Sequence, residues 1–300
     1  MSTSVFVLGS VNLDILAYVD EFPVSGQTLS ANETIVACGG KGANQAFACG
    51  QNYIDTTLLC KIGNDIFGEQ VQKMLSERRN VDCKTLTSTT ENTTIAQILV
   101  RHSDSQNQIV ISEGANKAIT VDEIRNYQTQ IESSQLLMLQ LENNFTAIMT
   151  AINIANKANV KVLLNPAPYE SEVSTILPLV DILTPNETEA SQLTGIEVTD
   201  AHSAKRAAEK LYQLYGIPEI VITLGSAGAL CFQAGKPHFI PAVIVNAIDT
   251  SGAGDAFNGA LSARLVLGDT LIEAAEYANS YAALAVQVKG ASNMPLAPKS

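Results

Sequence analysis

Short apolar runs alternate with stretches of helical periodicity over most of the chain. Residues 4–9, 56–61, 135–141, 160–165, 180–184 and 219–224 are nearly continuous runs of apolar side chains. They lack the in–out alternation of a half-exposed strand and read as strands buried on both faces, as a covered parallel sheet requires. Between them, residues 69–78, 122–131, 147–157 and 203–215 place apolar side chains at helical spacing. This strand–helix–strand rhythm predicts an α/β fold, a three-layer α/β/α sandwich around a mainly parallel central sheet.

Two segments break the rhythm. Residues 15–36 alternate, with turn signals at Phe22-Pro23 and Ser25-Gly26 and no helix. Residues 93–111 hold two further β runs, 94–101 and 108–111, split by the polar stretch 102–107. Antiparallel strands inserted in this way have to lie off the main sheet. They are expected to form a small β-sheet lid over the carboxyl ends of the main strands. The expected organisation is one α/β domain over residues 1–300, with lid strands inserted from about 14–37 and 93–112. The tail at 291–300 contains two prolines and is expected to fray.

Composition narrows the class. The chain is 46% hydrophobic and 16% charged, the balance of a globular protein with a substantial core. No stretch approaches a membrane span, and the N-terminus lacks a basic region before its short apolar run, so it reads as a first strand. Cys38, Cys49, Cys60, Cys83 and Cys231 are scattered with no CxxC pair, which suits reduced, mostly buried thiols in a cytoplasmic protein. A net charge of −12 argues against a nucleic-acid surface. It does not exclude a nucleotide, which needs only local donors and a metal ion. His102, His202 and His238 all lie away from the motifs below.

Two glycine clusters fall where helices should begin. In Cys38-Gly-Gly-Lys-Gly-Ala-Asn44, three glycines within four residues allow a sharp turn and close approach to a ligand. The N–H groups of the helix start then point outward. Lys41 and Asn44 add a charged donor and a bifunctional amide, suited to a polyol. An ordinary tight turn feeding a helix has the same signature. In Asp249-Thr-Ser-Gly-Ala-Gly-Asp255, residues 252–254 would present consecutive free N–H groups at the positive end of a helix, an anion hole for a migrating phosphoryl group. Asp255 faces that anion site with a carboxylate. The placement is electrostatically wrong unless it serves as general base toward an attacking alcohol, or merely complements the helix dipole. Neither run is a standard nucleotide fingerprint. A P-loop needs glycine at Ile35 and a hydroxyl residue at Gly42, and a GxGxxG starting at Gly252 needs glycine at Phe257.

Two further runs carry weaker signals. In Thr184-Pro-Asn-Glu-Thr-Glu189, Asn186 can cap the next helix with Glu187 and Glu189 in its first turn. Asn186 and Glu189 are also spaced to hold a hydrated Mg²⁺ beside phosphates. Val221-Ile-Thr-Leu-Gly-Ser-Ala-Gly228 is a strand ending in a Gly-x-x-Gly turn, which suits either a nucleotide edge or a plain hairpin.

Together these residues resemble the PfkB carbohydrate kinases, and most closely the members that phosphorylate ribose. Four runs carry the match in order over nearly the whole chain: Gly9-Ser-Val-Asn-Leu-Asp14, Gly39-Gly-Lys-Gly-Ala-Asn44, Thr184-Pro-Asn-Glu-Thr-Glu189 and Asp249-Thr-Ser-Gly-Ala-Gly-Asp255. The resemblance implies a sugar kinase that transfers the γ-phosphate of ATP to the 5-hydroxyl of ribose. It assigns Asn12, Asp14, Gly40, Lys41, Gly42, Ala43, Asn44 and Glu142 to the sugar, Asp255 to the base, and Gly252, Ala253 and Gly254 to the anion hole. Asn186 and Glu189 would organise Mg²⁺. Thr223, Leu224, Gly225, Ser226, Ala227, Gly228 and Asn279 would border ATP. A K⁺ ion would sit among Asp249, Ser251, Ala285, Val288, Gly290 and Met294, although a thioether at Met294 is a poor ligand for a hard cation. The lid would also form a homodimer contact.

Other readings stay open. A 2-deoxyribose, other small-sugar or nucleoside kinase would share these motifs, and a nucleoside would need an apolar slot, to which Phe22, Ile98 and Ile111 could contribute. A non-catalytic sugar-binding protein of the same fold would have no reason to keep Asp255 in an intact anion hole. A NAD-dependent oxidoreductase would share the α/β pattern but lacks its GxGxxG. No nucleic-acid or membrane partner is expected.

Overall fold

The apolar runs become interior strands of a large twisted sheet in the computed structural model, which describes residues 4–78, 80–103 and 106–298. In chain order the elements are β1 (Val5–Leu8), β2 (Asn12–Val19), β3 (Glu33–Gly39), α1 (Lys41–Gln51), β4 (Thr56–Gly63), α2 (Ile66–Ser76), β5 (Val81–Ser88), β6 (Ile95–Arg101) and β7 (Asn107–Ser112). There follow α3 (Val121–Asn126), α4 (Gln128–Glu132), β8 (Leu136–Leu139), α5 (Phe145–Lys157), β9 (Lys161–Leu164), β10 (Ile182–Leu183), α6 (Glu187–Thr194) and α7 (Ala201–Tyr215). The chain continues through β11 (Glu219–Thr223), β12 (Gly228–Gln233), β13 (Lys236–Pro241), α8 (Ala253–Val266) and α9 (Leu271–Ala285).

Nine strands form the main sheet in the order β13-β12-β11-β10-β9-β8-β1-β4-β5. All pairings from β5 to β11 are parallel, and the β12–β13 edge is antiparallel. Strand β1 shows why its sequence is apolar throughout. Val5 and Val7 pack into the core under α1, α8 and α9, whereas Phe6 and Leu8 pack into the core under α5 and α7.

Strands β3-β2-β6-β7 form a separate four-stranded sheet, as the interrupted rhythm implies. Its pairing departs from expectation in one respect: β2 and β6 run parallel, and only β2–β3 and β6–β7 are antiparallel. The parallel pair follows from chain routing. Both strands leave the main sheet from its carboxyl end, and Leu13 N–H donates to Thr94 O at 2.9 Å where they start. Residues Asp104 and Ser105 of the polar link lie outside the described residues. Lys289 ties this sheet to the C-terminal region: its ammonium is 2.8 Å from Glu33 and 3.8 Å from the Tyr18 ring centroid.

Three other differences are local. The helix expected over 122–131 is interrupted at Tyr127 into α3 and α4, and β10 is reduced to two residues. The tail is not frayed as far as Ala297. Ala297 N–H donates to Gln51 O at 3.1 Å, Tyr281 Oη donates to Pro295 O at 2.6 Å, and Met294 is buried. Lys299 and Ser300 lie outside the described residues.

Candidate active site

Asp255 sits in the first turn of α8 and is only 7% exposed. Gly252, the residue that turns the chain into this helix, has φ of 74°, a conformation open to glycine at no steric cost. The carboxylate is held at both ends from α1. Asn44 Nδ2 donates to Oδ2 at 3.0 Å, and Gln45 Nε2 donates to Oδ1 at 2.9 Å. Burial pushes the Asp255 pKa up, opposed by the Lys41 charge and these two amide bonds. Gln45 is itself locked, since its Oε1 accepts from Gln140 Nε2 at 2.6 Å and its Nε2 also donates to Asn165 Oδ1 at 3.1 Å.

This contact needs α1 and α8 to touch, and Gly259 lets them. A Cβ at Gly259 would lie 2.4 Å from Ala48 Cβ and 2.5 Å from Gln45 O. The expected anion hole is altered in one member. Ala253 N–H is turned inward to Thr250 O at 3.2 Å, closing the turn before the helix. The N–H groups of Gly252, Gly254 and Asp255 have no partner among the described residues, so they are the donors left at the positive end of α8.

The sugar-site candidates converge on the α1 start. Glu142 Oε2 accepts from Lys41 N–H at 3.1 Å and from the Ser10 hydroxyl. Burial lowers the Lys41 ammonium pKa, but the fields of Asp255, Glu142 and Glu189 outweigh it and hold the pKa above its ordinary value. The Asp14 carboxyl is pushed up to about 7, first by burial and then by the charge of Glu142. Asp14 Oδ1 and Asn44 Oδ1 are buried acceptors with no partner. Two orphaned oxygens beside a cleft suit a ligand rich in donating hydroxyls. The adjoining cleft, about 440 Å³ and open to solvent, is lined by Asn12, Thr94, Ile111, Asn116, Lys117 and Glu142 among others.

Ser10, Gln45, Thr94, Asn116 and Lys117 join the candidate site although the motifs assign them no role; of these only Ser10 stands inside one of the four matching runs. Gln45 follows directly on the first glycine cluster, and its polarity inside a helix core is the signal that could have found it. Asn116 and Lys117 lie in a short 3-10 turn, Ala115–Ala118, which has no distinguishing pattern.

The second group of predicted residues gathers near the same start of α8, where Thr184 Oγ1 donates to Asn258 Oδ1 at 2.6 Å and the charges of Lys41 and Asp255 reach Glu189. An isolated parallel bridge joins Asn186 to Thr223, and the turn Gly225–Ala227 follows β11 directly. Pro241 pairs with Gly228 and accepts from Asn279 Nδ2 at 2.8 Å, which brings Asn279 to that turn. Asn186 and Glu189 form a reciprocal capping box on α6: Glu189 N–H donates to Asn186 Oδ1 at 2.8 Å, and Asn186 N–H donates to Glu189 Oε2 at 3.0 Å. The buried Glu189 carboxyl has its pKa raised by burial, with the Lys41 charge opposing. No cluster of three or more metal-ligating His, Cys, Asp or Glu occurs among the described residues. The fit is therefore to a hydrated cation shared with phosphate oxygens, not to an all-protein cage.

Asp249 accepts from Ser251 N–H at 2.9 Å and from Gly290 N–H at 2.8 Å, and Ile248 N–H donates to Val286 O at 2.8 Å. These bonds bring the 249–251 and 285–290 segments together. Met294 does not join them as a side-chain ligand, because its thioether packs into the core under α1, α8 and α9.

A family model for pfkB family carbohydrate kinases matches residues 2–299. Ribokinase of Haemophilus influenzae is 38% identical over 98% of this chain and 95% of that protein. Deoxyribokinase of Salmonella typhi is 35% identical over 95% and 92%. The structure of Arabidopsis thaliana ribokinase complexed with ribose and ATP superposes with a TM-score of 0.87 at 31% identity, covering 98% of this chain and 96% of that one.

Proposed function

The chain belongs to the PfkB family of carbohydrate kinases, and we propose that it transfers the γ-phosphoryl group of ATP to the 5-hydroxyl of D-ribose, giving ribose 5-phosphate and ADP. The observation that carries this reading is the buried Asp255 carboxylate, fixed at both oxygens beside the unpaired N–H groups of Gly252 and Gly254. Asp255 takes the hydroxyl proton as the sugar oxygen bonds to phosphorus and the bond from phosphorus to the ADP oxygen breaks. The N–H groups at the α8 start and the Lys41 ammonium offset charge on the phosphoryl oxygens. Its raised pKa brings the base nearer to working pH, where proton transfer is efficient.

Asn12, Asp14, Asn44 and Glu142, with the backbone of residues 40–44, hold the sugar. Residues 223–228 and Asn279 border the nucleotide. Asn186 and Glu189 would hold the waters of a Mg²⁺ bound with ATP, and such an ion would supply neutralisation of phosphate charge. Oxygens of Asp249, Ser251, Ala285, Val288 and Gly290 would hold a K⁺, which would supply positive charge near the phosphoryl group. The chain acts as one unit over residues 1–300, in the cytoplasm. It forms a homodimer through the lid, which is supported by exposed apolar side chains on both lid edges: Val36 on β3 and Ile109, Val110 and Ile111 on β7.

A second reading, phosphorylation of 2-deoxyribose, is favoured by the 35% identity to a deoxyribokinase. A coupled ADP-release assay over pentoses, 2-deoxyribose, hexoses and nucleosides, with Mg-ATP and with or without K⁺, decides between them. Ribose should give the highest kcat/KM. A higher value for 2-deoxyribose transfers the assignment, and no ADP above background with any of them removes the kinase reading.

A further inference from the structure

Asn116 is 4% exposed and makes more hydrogen bonds than any packing role needs. Its Oδ1 accepts from Val11 N–H at 3.0 Å. Its Nδ2 donates to Val11 O at 3.0 Å, to Asn12 Oδ1 at 2.9 Å and to Thr94 Oγ1 at 3.1 Å.

The orientation of both amides follows by elimination. A backbone N–H can only donate, so the Asn116 atom facing Val11 N must be its oxygen. The Asn116 nitrogen then faces Asn12, which must accept with its own oxygen. That leaves Asn12 Nδ2 on the branch away from Asn116, and it has no partner among the described residues. Asn12 lines the cleft, and its free branch presents two N–H donors there.

The turn that carries Asn116 is held in place from three sides. Lys61 Nζ donates to Ala118 O at 2.9 Å and to both oxygens of Glu123. Lys117 Nζ is 2.8 Å from Glu170, and Asn143 Nδ2 donates to Asn116 O at 3.2 Å. The alternative Asn12 orientation would replace these donors by one more acceptor in a cleft already lined by the carboxylates of Glu113, Glu142 and Glu170. A sugar hydroxyl that both donates and accepts is better matched by a donor placed among acceptors.

We propose that Asn116 is a positioning residue that fixes the Asn12 amide with its N–H groups toward the cleft, so that this point selects a hydroxyl oxygen able to accept. The inference rests on the sugar-kinase reading of the cleft. Its test compares the parent with Asn116→Asp, Asn116→Ala, Asn12→Ala and the double alanine variant, using sugar KM, ATP KM and kcat. Asn116→Asp keeps the bond from Val11 N–H but sets an oxygen against Asn12 Oδ1, turning the Asn12 amide over. Sugar KM should rise about tenfold or more, the range for leaving a buried polar partner unpaired. ATP KM and kcat should move far less. The double variant should bind sugar no more weakly than Asn12→Ala alone.

Parent-like sugar KM in Asn116→Asp overturns the proposal. So does full additivity with Asn12→Ala, or an equal rise in ATP KM, which would mark a general loosening of the fold. Should the Asn116 variants fail to fold, Asn12→Asp decides, because it places an oxygen in the cleft with Asn116 intact. Loss of sugar affinity there supports the proposal, and parent-like affinity overturns it. A parent that turns over no sugar with ATP removes the kinase reading and the inference together, whereas an active parent with parent-like variants removes the inference alone.

Discussion

A buried carboxylate with two amide donors and an ammonium nearby is useful only if its charge matters. For Asp255, replacement by Asn keeps the shape and should spare sugar binding. Loss of the proton acceptor should lower kcat by about 10²–10⁴-fold, the usual range for a general base. Steady-state kinetics check this, and near-parent turnover would take Asp255 out of that role. Asp14 makes a different prediction. Its folded pKa of about 7 stands above the ordinary 3.8, so the folded state holds a proton that the unfolded state releases first. Stability from this group therefore falls as pH rises from about 4 to about 7 and then levels. Sugar hydroxyls donate best to the ionised form, so sugar KM should fall between pH 6 and pH 8 as Asp14 deprotonates. Asp14→Asn should abolish that pH dependence, raise sugar KM and raise the melting temperature at pH 8. A pH-dependent KM surviving in the variant would assign the titration to another group. Asp255 and Asn44 are legible in the sequence because they stand in glycine runs at helix starts, whereas Glu142 follows a buried strand with no glycine near it and is marked only by the family resemblance. Gln45 and Asn116 are not, since their roles exist only once residues 210 and 104 positions away in sequence are beside them.

Helix pairing governs whether the residue chemistry can occur. Gly259→Ala would gain about 1 kcal/mol in helix propensity. It would also drive a methyl group to 2.4 Å from Ala48 Cβ and 2.5 Å from the Gln45 carbonyl, and backbone atoms have little room to yield. Overpacking of this kind costs about 1–3 kcal/mol, so the melting temperature should fall. Because α1 is the helix pushed away, Gln45 should lose its grip on Asp255 and kcat should drop more than sugar affinity. Thermal unfolding with kinetics reads both, and a parent-like result would show that the helices separate without consequence. The interior strands are legible because burial on two faces demands continuous apolar runs. Strand β5 is not, because an edge strand with the pattern Val81-Asp-Cys-Lys-Thr-Leu looks like an ordinary half-exposed segment. The parallel β2–β6 pair is hidden for another reason: strand direction depends on where the chain leaves the sheet, which no local pattern records.

At the scale of the molecule, the lid is the element whose sequence outruns its own packing. Ile109 and Val110 are 51% and 65% exposed on an edge strand, which invites a second copy. Ile109→Lys with Val110→Lys should convert a dimer to a monomer in sedimentation velocity while leaving the main sheet folded. An unchanged sedimentation coefficient would remove the lid from the dimer contact. The cores on the two faces of the main sheet are legible as wholes, since their apolar residues recur in every strand of that sheet and in the helices that cover it. The lid's connection to the C-terminal region through Lys289 and Glu33 is not, because those residues are 256 positions apart.

The bond between Asn44 and Asp255 spans 211 positions. Consider the protein during its synthesis. When the first glycine cluster and α1 have left the ribosome, the amides of Asn44 and Gln45 have nothing to hold. The carboxylate, the α8 donors and the strap from Ala297 to Gln51 arrive only near completion. On the proposed reading, a chain stopped before residue 249 would hold the proposed sugar-site residues without the proposed base or the α8 donors, and it should not consume ATP.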